Sequence, residues 1–407
     1  MSGSYFEQVV NMIKNKYIWY SIVLIAMTIG CKKPYNPTVI SAANSYLVVE
    51  GVINSGADST IIKLSKTVKL SESTTLNTES GATVTIEGEQ NGAYTLQQIG
   101  SGIYAAAPLN LTANQKYRIH IKTAENKEYL SDFVEAKITP SIDNIDFQVK
   151  SNGLQINVNA HDATNNTRYY RWDYVETYDY YSDYNSGYKS NGDTVLLRDM
   201  VNDNIYHCWH TNASSSISIG SSIKLAQDVI AEAPVSFIAA PSEKLTQKYS
   251  ILVKQYALTK EAYQFWENLK KNTEQLGSIF DAQPSQLVGN IHCVTNPAEL
   301  VIGYISASTV TSKRVFISKA ALPANLYASP NFGCKLDTFL FVHVIGPYLT
   351  VNDEDQFFNY NKSKAILAIP VQAIYSMRGD IIGHQGAKPI CVDCTLRGTN
   401  KKPSFWE

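Results

Sequence analysis

Residues 82–88 read ATVTIEG, and this short run decides the fold class. Val84 and Ile86 fall on one side of an extended chain, with Thr83, Thr85 and Glu87 on the other, because successive side chains of a strand point to opposite faces. On a helix the same apolar pair would sit on opposite sides of the axis. Working outward, KYRIHIKT (116–123) repeats the pattern with Tyr117, Ile119 and Ile121. YLVVEGVI (46–53), STIIKLSKTVKL (59–70), AYTLQQIGSGIYAA (93–106) and EYLSDFVEA (128–136) follow the same logic, separated by Gly- and Asn-bearing turns. The segment 45–139 therefore predicts a β-sandwich of about seven strands.

Thr139-Pro140-Ser141 marks a boundary, beyond which IDNIDFQV and GLQINVNA begin a second β-rich domain spanning 140–407. In TRYYRWDYVETYDYY (167–181), Tyr170, Trp172 and Tyr174 share a face. A Trp buried on a central strand anchors immunoglobulin-type sandwiches. YSILVKQYAL (249–258) is another central strand and runs into an amphipathic helix near 260–273. Thr259 caps it; Ala262, Phe265, Trp266 and Leu269 recur at helical spacing, while Lys260, Glu267, Lys270 and Lys271 face water. Short strands (LVIGYISAS, KRVFIS, FLFVHVI, KAILAIP), long loops and a Cys-bearing tail complete an irregular domain. The chain is thus mostly β, with an immunoglobulin- or fibronectin-III-like second domain carrying one inserted helix.

The amino-terminal stretch has a different purpose. Lys14 and Lys16 precede the apolar run from Tyr17 to Ile29, which leads through small residues to Cys31. That run is shorter than the roughly 20 apolar residues of a spanning helix and suits the core of a secretory signal. Residues 1–30 are expected to be a lipoprotein signal peptide, with the thiol of Cys31 lipidated and residues 31–44 a tether. Met12 gives a start of more usual length. Thr28 stands where leucine is commoner. The chain is expected outside the cytoplasm, in the cell envelope, tethered to a membrane by lipid. With 35 basic and 36 acidic residues it offers no field for nucleic acid.

Chemistry-bearing motifs are sparse. Cys208, Cys293, Cys334, Cys391 and Cys394 remain beyond Cys31, and an oxidising compartment favours structural disulfides that pin the tail. The CVDC pair lacks the βαβ context of a redox dithiol and a second ligand pair for zinc. In His207-Cys208-Trp209-His210 alternation puts His207 with Trp209 and Cys208 with His210, which splits a metal set. No nucleophile elbow, HExxH, P-loop or dinucleotide fingerprint occurs. Asp353-Glu354-Asp355 reads as a solvated turn or at best a weak calcium site, and Asp173 with Glu176 shows no two-acid cleft. The notable patch is TYDYYSDYNSGYKSNGD, whose Tyr178, Tyr180, Tyr181, Tyr184 and Tyr188 resemble a binding loop able to stack on sugars or protein partners. The other reading is a hairpin whose tyrosines cover its own sheet.

YLVVEGVI, LSKT, GATVTIEG, GSGIY, RYYRWDYVETY, Cys208-Trp209, the run from Tyr249 to Cys293, GYISASTVTSKRVFI and CVDCTLRGTNKKPSFW together resemble one large lipoprotein family of Bacteroidota. It is catalogued as domain of unknown function 4249. The resemblance implies an outer-membrane lipoprotein, often encoded beside TonB-dependent transporters, with an amino-terminal half similar to transthyretin-like or carboxypeptidase-regulatory sandwiches. It implies disulfides among Cys208, Cys334, Cys391 and Cys394 with Cys293 free, and it carries no catalytic residues, metal or cofactor. Lys32-Lys33 replace the acidic residues that follow the lipidated cysteine in surface-exported relatives, so the chain faces either the surface or the periplasm. The expected function is a non-catalytic accessory subunit of a TonB-dependent transporter or related complex. A glycan- or nutrient-binding lipoprotein is the second reading, and an enzyme is the least supported.

Overall fold

Val84 and Ile86 are both fully buried, as their alternation requires. In this computed structural model residues 45–68, 77–90, 92–274, 287–347 and 349–407 are described; the signal stretch, Cys31 and the tether lie outside them. Seven strands of the first segment enter one ring: β1 (Leu47–Asn54), β2 (Thr60–Lys66), β3 (Thr83–Gly88), β4 (Ala93–Gly100), β5 (Ile103–Ala106), β6 (Lys116–Lys122) and β7 (Val134–Lys137). Antiparallel pairing runs β6–β3–β4–β5–β2–β1. The strand Ser306–Ser308 then pairs in parallel with β1 on one side and β7 on the other, and β7 returns to β6.

The expected sandwich is therefore corrected to a closed barrel of eight strands. The physical reason lies in its edges. Open ends at β1 and β7 would leave unpaired N–H and C=O groups. Ser306, Ala307 and Ser308, all buried, fill that gap with side chains small enough to fit between two neighbours. Val301–Ile302 also pairs with β1, and Ile291–Cys293 with Glu128–Ser131. Residues 291–308, which the sequence places in the second domain, are thus part of the barrel sheet. Thr139 N–H donates to Thr309 Oγ1 at 2.8 Å, tying the two chain passages at the boundary.

The second body is two antiparallel sheets over one core. β8 (Ile142–Lys150), β9 (Gly153–Asp162) and, later in the chain, Asp228–Ala239 form a three-stranded sheet. Opposite it, β10 (Tyr169–Tyr181) is flanked by β11 (His207–Ala213) and β12 (Ser218–Ser221) on one side. With Asp228–Ala239 counted as β13, β14 (Lys248–Ala257) lies on the other side of β10 and is followed by β15 (Val310–Ser318). Leu154, Ile156 and Val158 from the smaller sheet meet Tyr170, Trp172, Tyr249 and Ile251 from the larger. Trp172 is fully buried, and its Nε1–H donates to Gln255 Oε1 at 2.7 Å, so the indole keeps a partner inside the core.

Helix α1 (Lys260–Glu274) starts where the sequence places it. Thr259 Oγ1 accepts from the Ala262 N–H at 3.2 Å, satisfying one of the orphan donors of the first turn. Ala262 and Phe265 are buried, and Trp266 lies over the Arg171 guanidinium at 4.3 Å, so the helix packs on β10 and β12. The irregular remainder contains β16 (Asp337–Leu340), helix α2 (Asp353–Phe357), β17 (Ile369–Tyr375) and β18 (Ile381–Ala387), with sheet order β16–β18–β17.

Gly303 shows how tightly the barrel closes. Its φ is +140°, and a Cβ there would lie 2.2 Å from the Val49 carbonyl oxygen. Gly303→Ala should therefore destabilise the chain by about 2–3 kcal/mol, read as a lower midpoint in urea unfolding. An unchanged midpoint would contradict the closure described here.

Candidate functional site

The tyrosine patch does not form one loop. β10 continues through Tyr181, so Tyr178 and Tyr180 are strand residues on the same inward face as Tyr170 and Trp172. Tyr180 is 1% exposed and donates from its hydroxyl to the Cys394 carbonyl at 2.8 Å. Burial pushes both the Tyr178 and Tyr180 phenols up to about 12. Tyr184 packs into a small cluster with Val371 and Cys391. Tyr188 presents its ring edge to His384 at 4.5 Å. Tyr181 alone of the five is exposed on the outer face, stacked on His207 at 4.3 Å. The binding-loop expectation is corrected for Tyr178 and Tyr180: their even spacing from Tyr170 extends the core face instead.

Cys208 is bonded to Cys394, and Cys334 to Cys391. Cys293 is free and buried. The two sulfurs of CVDC thus belong to different bridges and form no dithiol. Around the first bridge the tail is stitched to β11: Trp209 and Thr399 exchange backbone hydrogen bonds at 2.8 and 2.9 Å. Arg397 pairs with Glu243 at 2.6 Å and lies 4.5 Å over the Tyr180 ring. Trp406 meets Trp209 and Phe316 edge-on across the outer face of the larger sheet.

The histidines divide as strand alternation demands. His207 Nε2 bonds Asp179 Oδ2 at 2.9 Å, whereas His210 Nδ1 faces the Arg397 carbonyl. Among the described residues, the grouping of metal-type ligands that comes close enough is Asp183 with Cys334 and Cys391, and those sulfurs are spent in a bridge.

Asp353 and Glu354 require a correction. The expected solvated turn opens helix α2, with Asn352 as its cap, and buries both carboxylates. His343 Nδ1 contacts Asp353 at 3.0 Å; His384 Nδ1 contacts Glu354 at 2.6 Å, with both of the latter side chains 5% exposed. Nothing local in VNDEDQ signals these partners, because His343 and His384 come from other strands. Asp173 pairs with Arg171 at 2.9 Å, and Glu176 is buried against Lys244 and Tyr249, so these two acids line no common cleft.

One cleft stands out at the end of the larger sheet. It is shallow and wide open to solvent, about 590 Å³ in volume, and is lined by Asp179, Gln247, Lys248, Ser318, Lys319, Ala320, Leu322 and Tyr327. The pairing of Lys248 with Ser318 on β14 and β15 brings these distant segments together. Asp179 is nearly buried, with Oδ2 on His207 and Oδ1 accepting the Lys248 backbone N–H at 2.8 Å. The Lys319 ammonium sits 4.6 Å from the centre of the Tyr327 ring. Sequence reasoning missed this site, because no local motif marks residues joined only by sheet register.

A family model described as a domain of unknown function, DUF4249, matches residues 32–314. The chain belongs to the DUF4249 family. The matched stretch covers the barrel and the two-sheet body and ends on β15, short of the hairpins and the CVDC tail. No curated protein matches this DUF4249 chain.

Replacing Cys208 and Cys394 together by Ala should lower stability by about 2–4 kcal/mol, measured by urea unfolding of the oxidised protein; a loss confined to reduced samples would contradict the bridge. A second expectation concerns alkali. Folded Tyr178 and Tyr180 titrate above the ordinary value of 10.0. Their contribution is complete below pH 10 and is lost as the pH rises from there through about 12. Tyr178→Phe combined with Tyr180→Phe should move the alkaline unfolding midpoint upward, followed by circular dichroism against pH.

Proposed function

We propose that this DUF4249 protein is a non-catalytic lipoprotein held to the outer membrane through Cys31, where it docks on a membrane-embedded partner. The TonB-dependent transporter type is the partner we favour, on the strength of the resemblance to lipoproteins often encoded beside such transporters. One observation carries the docking part: apolar side chains concentrate on the exposed hairpins beyond β15. Phe341 N–H bonds the Ile382 carbonyl at 3.0 Å, which sets the hairpin His343–Ile345/Leu349–Val351 beside that of β17 and β18. Val342 and Val344 are 63% and 62% exposed, and Ile345, Leu349, Met377 and Ile381 are also open to solvent. Exposed apolar side chains gathered in one part of the chain favour an interaction role. The two-sheet body around Trp172 supports an immunoglobulin- or fibronectin-like reading of that half, a scaffold type that commonly presents binding surfaces at its ends.

The test is affinity purification of the full chain from solubilised outer membranes, with partners identified by mass spectrometry. Wild type should retain a TonB-dependent barrel. Val344→Glu combined with Met377→Glu should weaken that retention by roughly tenfold, while thermal unfolding stays unchanged. Equal retention by the variant, or no barrel with wild type, would overturn the docking reading.

A further inference from the structure

We infer that the barrel end around Tyr46 is a lipid-facing rim that rests on the same bilayer as the Cys31 lipid. The inference rests on the anchoring reading above and is independent of hairpin docking.

Backbone contacts define the rim. The Tyr46 carbonyl, just before β1, accepts the Thr67 N–H at 2.9 Å just beyond β2. In the turn between β4 and β5, the Gly102 carbonyl accepts the Leu64 N–H at 2.8 Å. The Glu128 carbonyl accepts the Val294 N–H at 2.8 Å, and Val301 pairs with Leu47 at the first residue of β1. The opposite end of β1 pairs with Ser306–Ser308, and there the chain passes through Thr139 and Thr309 into the two-sheet body. The rim is therefore the barrel end away from that body, and the sequence enters it directly from the tether, through Ser45 and Tyr46.

Apolar side chains from separate passages surface together at this end. Ile99 and Leu300 are 65% and 52% exposed, and Val68, Val294 and Ile302 are also open to solvent. The barrel interior has no need of them, since Leu64, Val84, Tyr104, Tyr129 and Val301 already fill it. Charge at the rim is compensated within the protein. Lys66 bonds Glu79 at 2.6 Å and Glu125 at 3.4 Å, while Lys127 bonds Glu299 at 2.8 Å. The Tyr129 hydroxyl donates to the same Glu299 carboxylate at 2.7 Å. Carboxylates paired in this way cost less to bring against a low-dielectric surface and repel anionic headgroups less than bare ones.

The occupant follows from the chain outside the described residues. An acyl group on Cys31 enters a bilayer, and residues 32–44 join it to the rim over at most roughly 45 Å. Lys32 and Lys33 then stand beside the lipid, where anionic headgroups attract cations. A covalent tether makes contact between rim and bilayer intramolecular, so a few apolar side chains suffice to hold it.

The experiment is spin labelling of the full chain, purified from membranes with its acyl group and reconstituted in vesicles of phosphatidylethanolamine and phosphatidylglycerol. Labels are placed singly at Ile99→Cys, Leu300→Cys and Val149→Cys, the last an exposed apolar position on β8 of the two-sheet body. The unsubstituted chain gives the background from the buried thiol of Cys293. At 99 and 300, collisions with oxygen should rise and collisions with a water-soluble nickel complex should fall, relative to 149. Adding Ile99→Asp and Val294→Asp should return the label at 300 to the values at 149. Labels at 99 and 300 that match 149 in an acylated chain would overturn the rim alone. Shielding from both oxygen and nickel would also overturn it, by showing a protein contact such as a second copy. A Cys31 without fatty acid by mass spectrometry would sink the anchoring reading and this inference together. The Val344→Glu, Met377→Glu protein should give the same label values as the unchanged hairpins, which separates the rim from the docking surface.

Discussion

Backbone groups at the edge of a sheet must be paired or wetted, and in this protein that requirement shapes the first half of the chain. The strands from Leu47 to Lys137 leave β1 and β7 as facing edges, and the three residues Ser306–Ser308 pair with both. Each buried N–H or C=O left without a partner would cost about 1–3 kcal/mol. Closing the ring removes a whole row of such groups at once. The cost is topological, because most of the two-sheet body, from β8 to β14, lies in the chain between the closing strand and its neighbours. The barrel is therefore complete only when the downstream chain has returned to it, and its closure couples the two bodies through the passage at Thr139 and Thr309.

The two-sheet body meets a related problem at the other end of the chain. Its larger sheet ends at β11, whose outer edge is occupied by the tail through the Trp209–Thr399 backbone pair. The Cys208–Cys394 bridge holds that contact where it is, and the Tyr180 hydroxyl satisfies the Cys394 carbonyl from inside the core. A tail of this length has too little apolar surface to fold against a sheet on its own. Covalent attachment lowers the entropy of the unfolded chain and makes the remaining contacts sufficient. Arg397, paired with Glu243 and lying over Tyr180, completes the attachment with a partly shielded charge.

How much of this was legible depended on the range of the interaction. Alternation in 82–88 and 116–123 correctly marks strands and their buried faces, and the spacing after Thr259 marks α1, because both signals are local. The same local logic, applied to Tyr178 and Tyr180, continues the Tyr170–Trp172 face inward, whereas the mixed Asp, Ser and Asn nearby point to a loop. Barrel closure was illegible because a three-residue run such as Ser306–Ser308 carries no mark of which edge it joins. The burial of Asp353 and Glu354 was illegible for a similar reason. A carboxylate's solvation depends on whether a histidine arrives from another strand, and His384 lies 30 residues from Glu354. The cleft combines both difficulties, since its walls meet only through the register of β10, β14 and β15.

The hairpins beyond β15 pose the reverse question, of why apolar side chains are left in water. Val344 and its paired neighbours line a two-stranded ribbon exposed on both faces, and such a ribbon gains little stability from packing. Its base, by contrast, is held firmly: Asp353 takes the Leu340 N–H and contacts His343, while Glu354 holds His384 of β18. A rigid base under an apolar tip is what a docking element needs, since ordering the base in advance lowers the entropy lost on binding. Under the proposed anchoring at Cys31, the stretch 32–44 reaches at most roughly 45 Å when fully extended. That restriction raises the effective concentration of the tip near any membrane partner, so a small apolar contact is enough for occupancy. Under that proposal the anchor supplies proximity and the hairpins supply the contact.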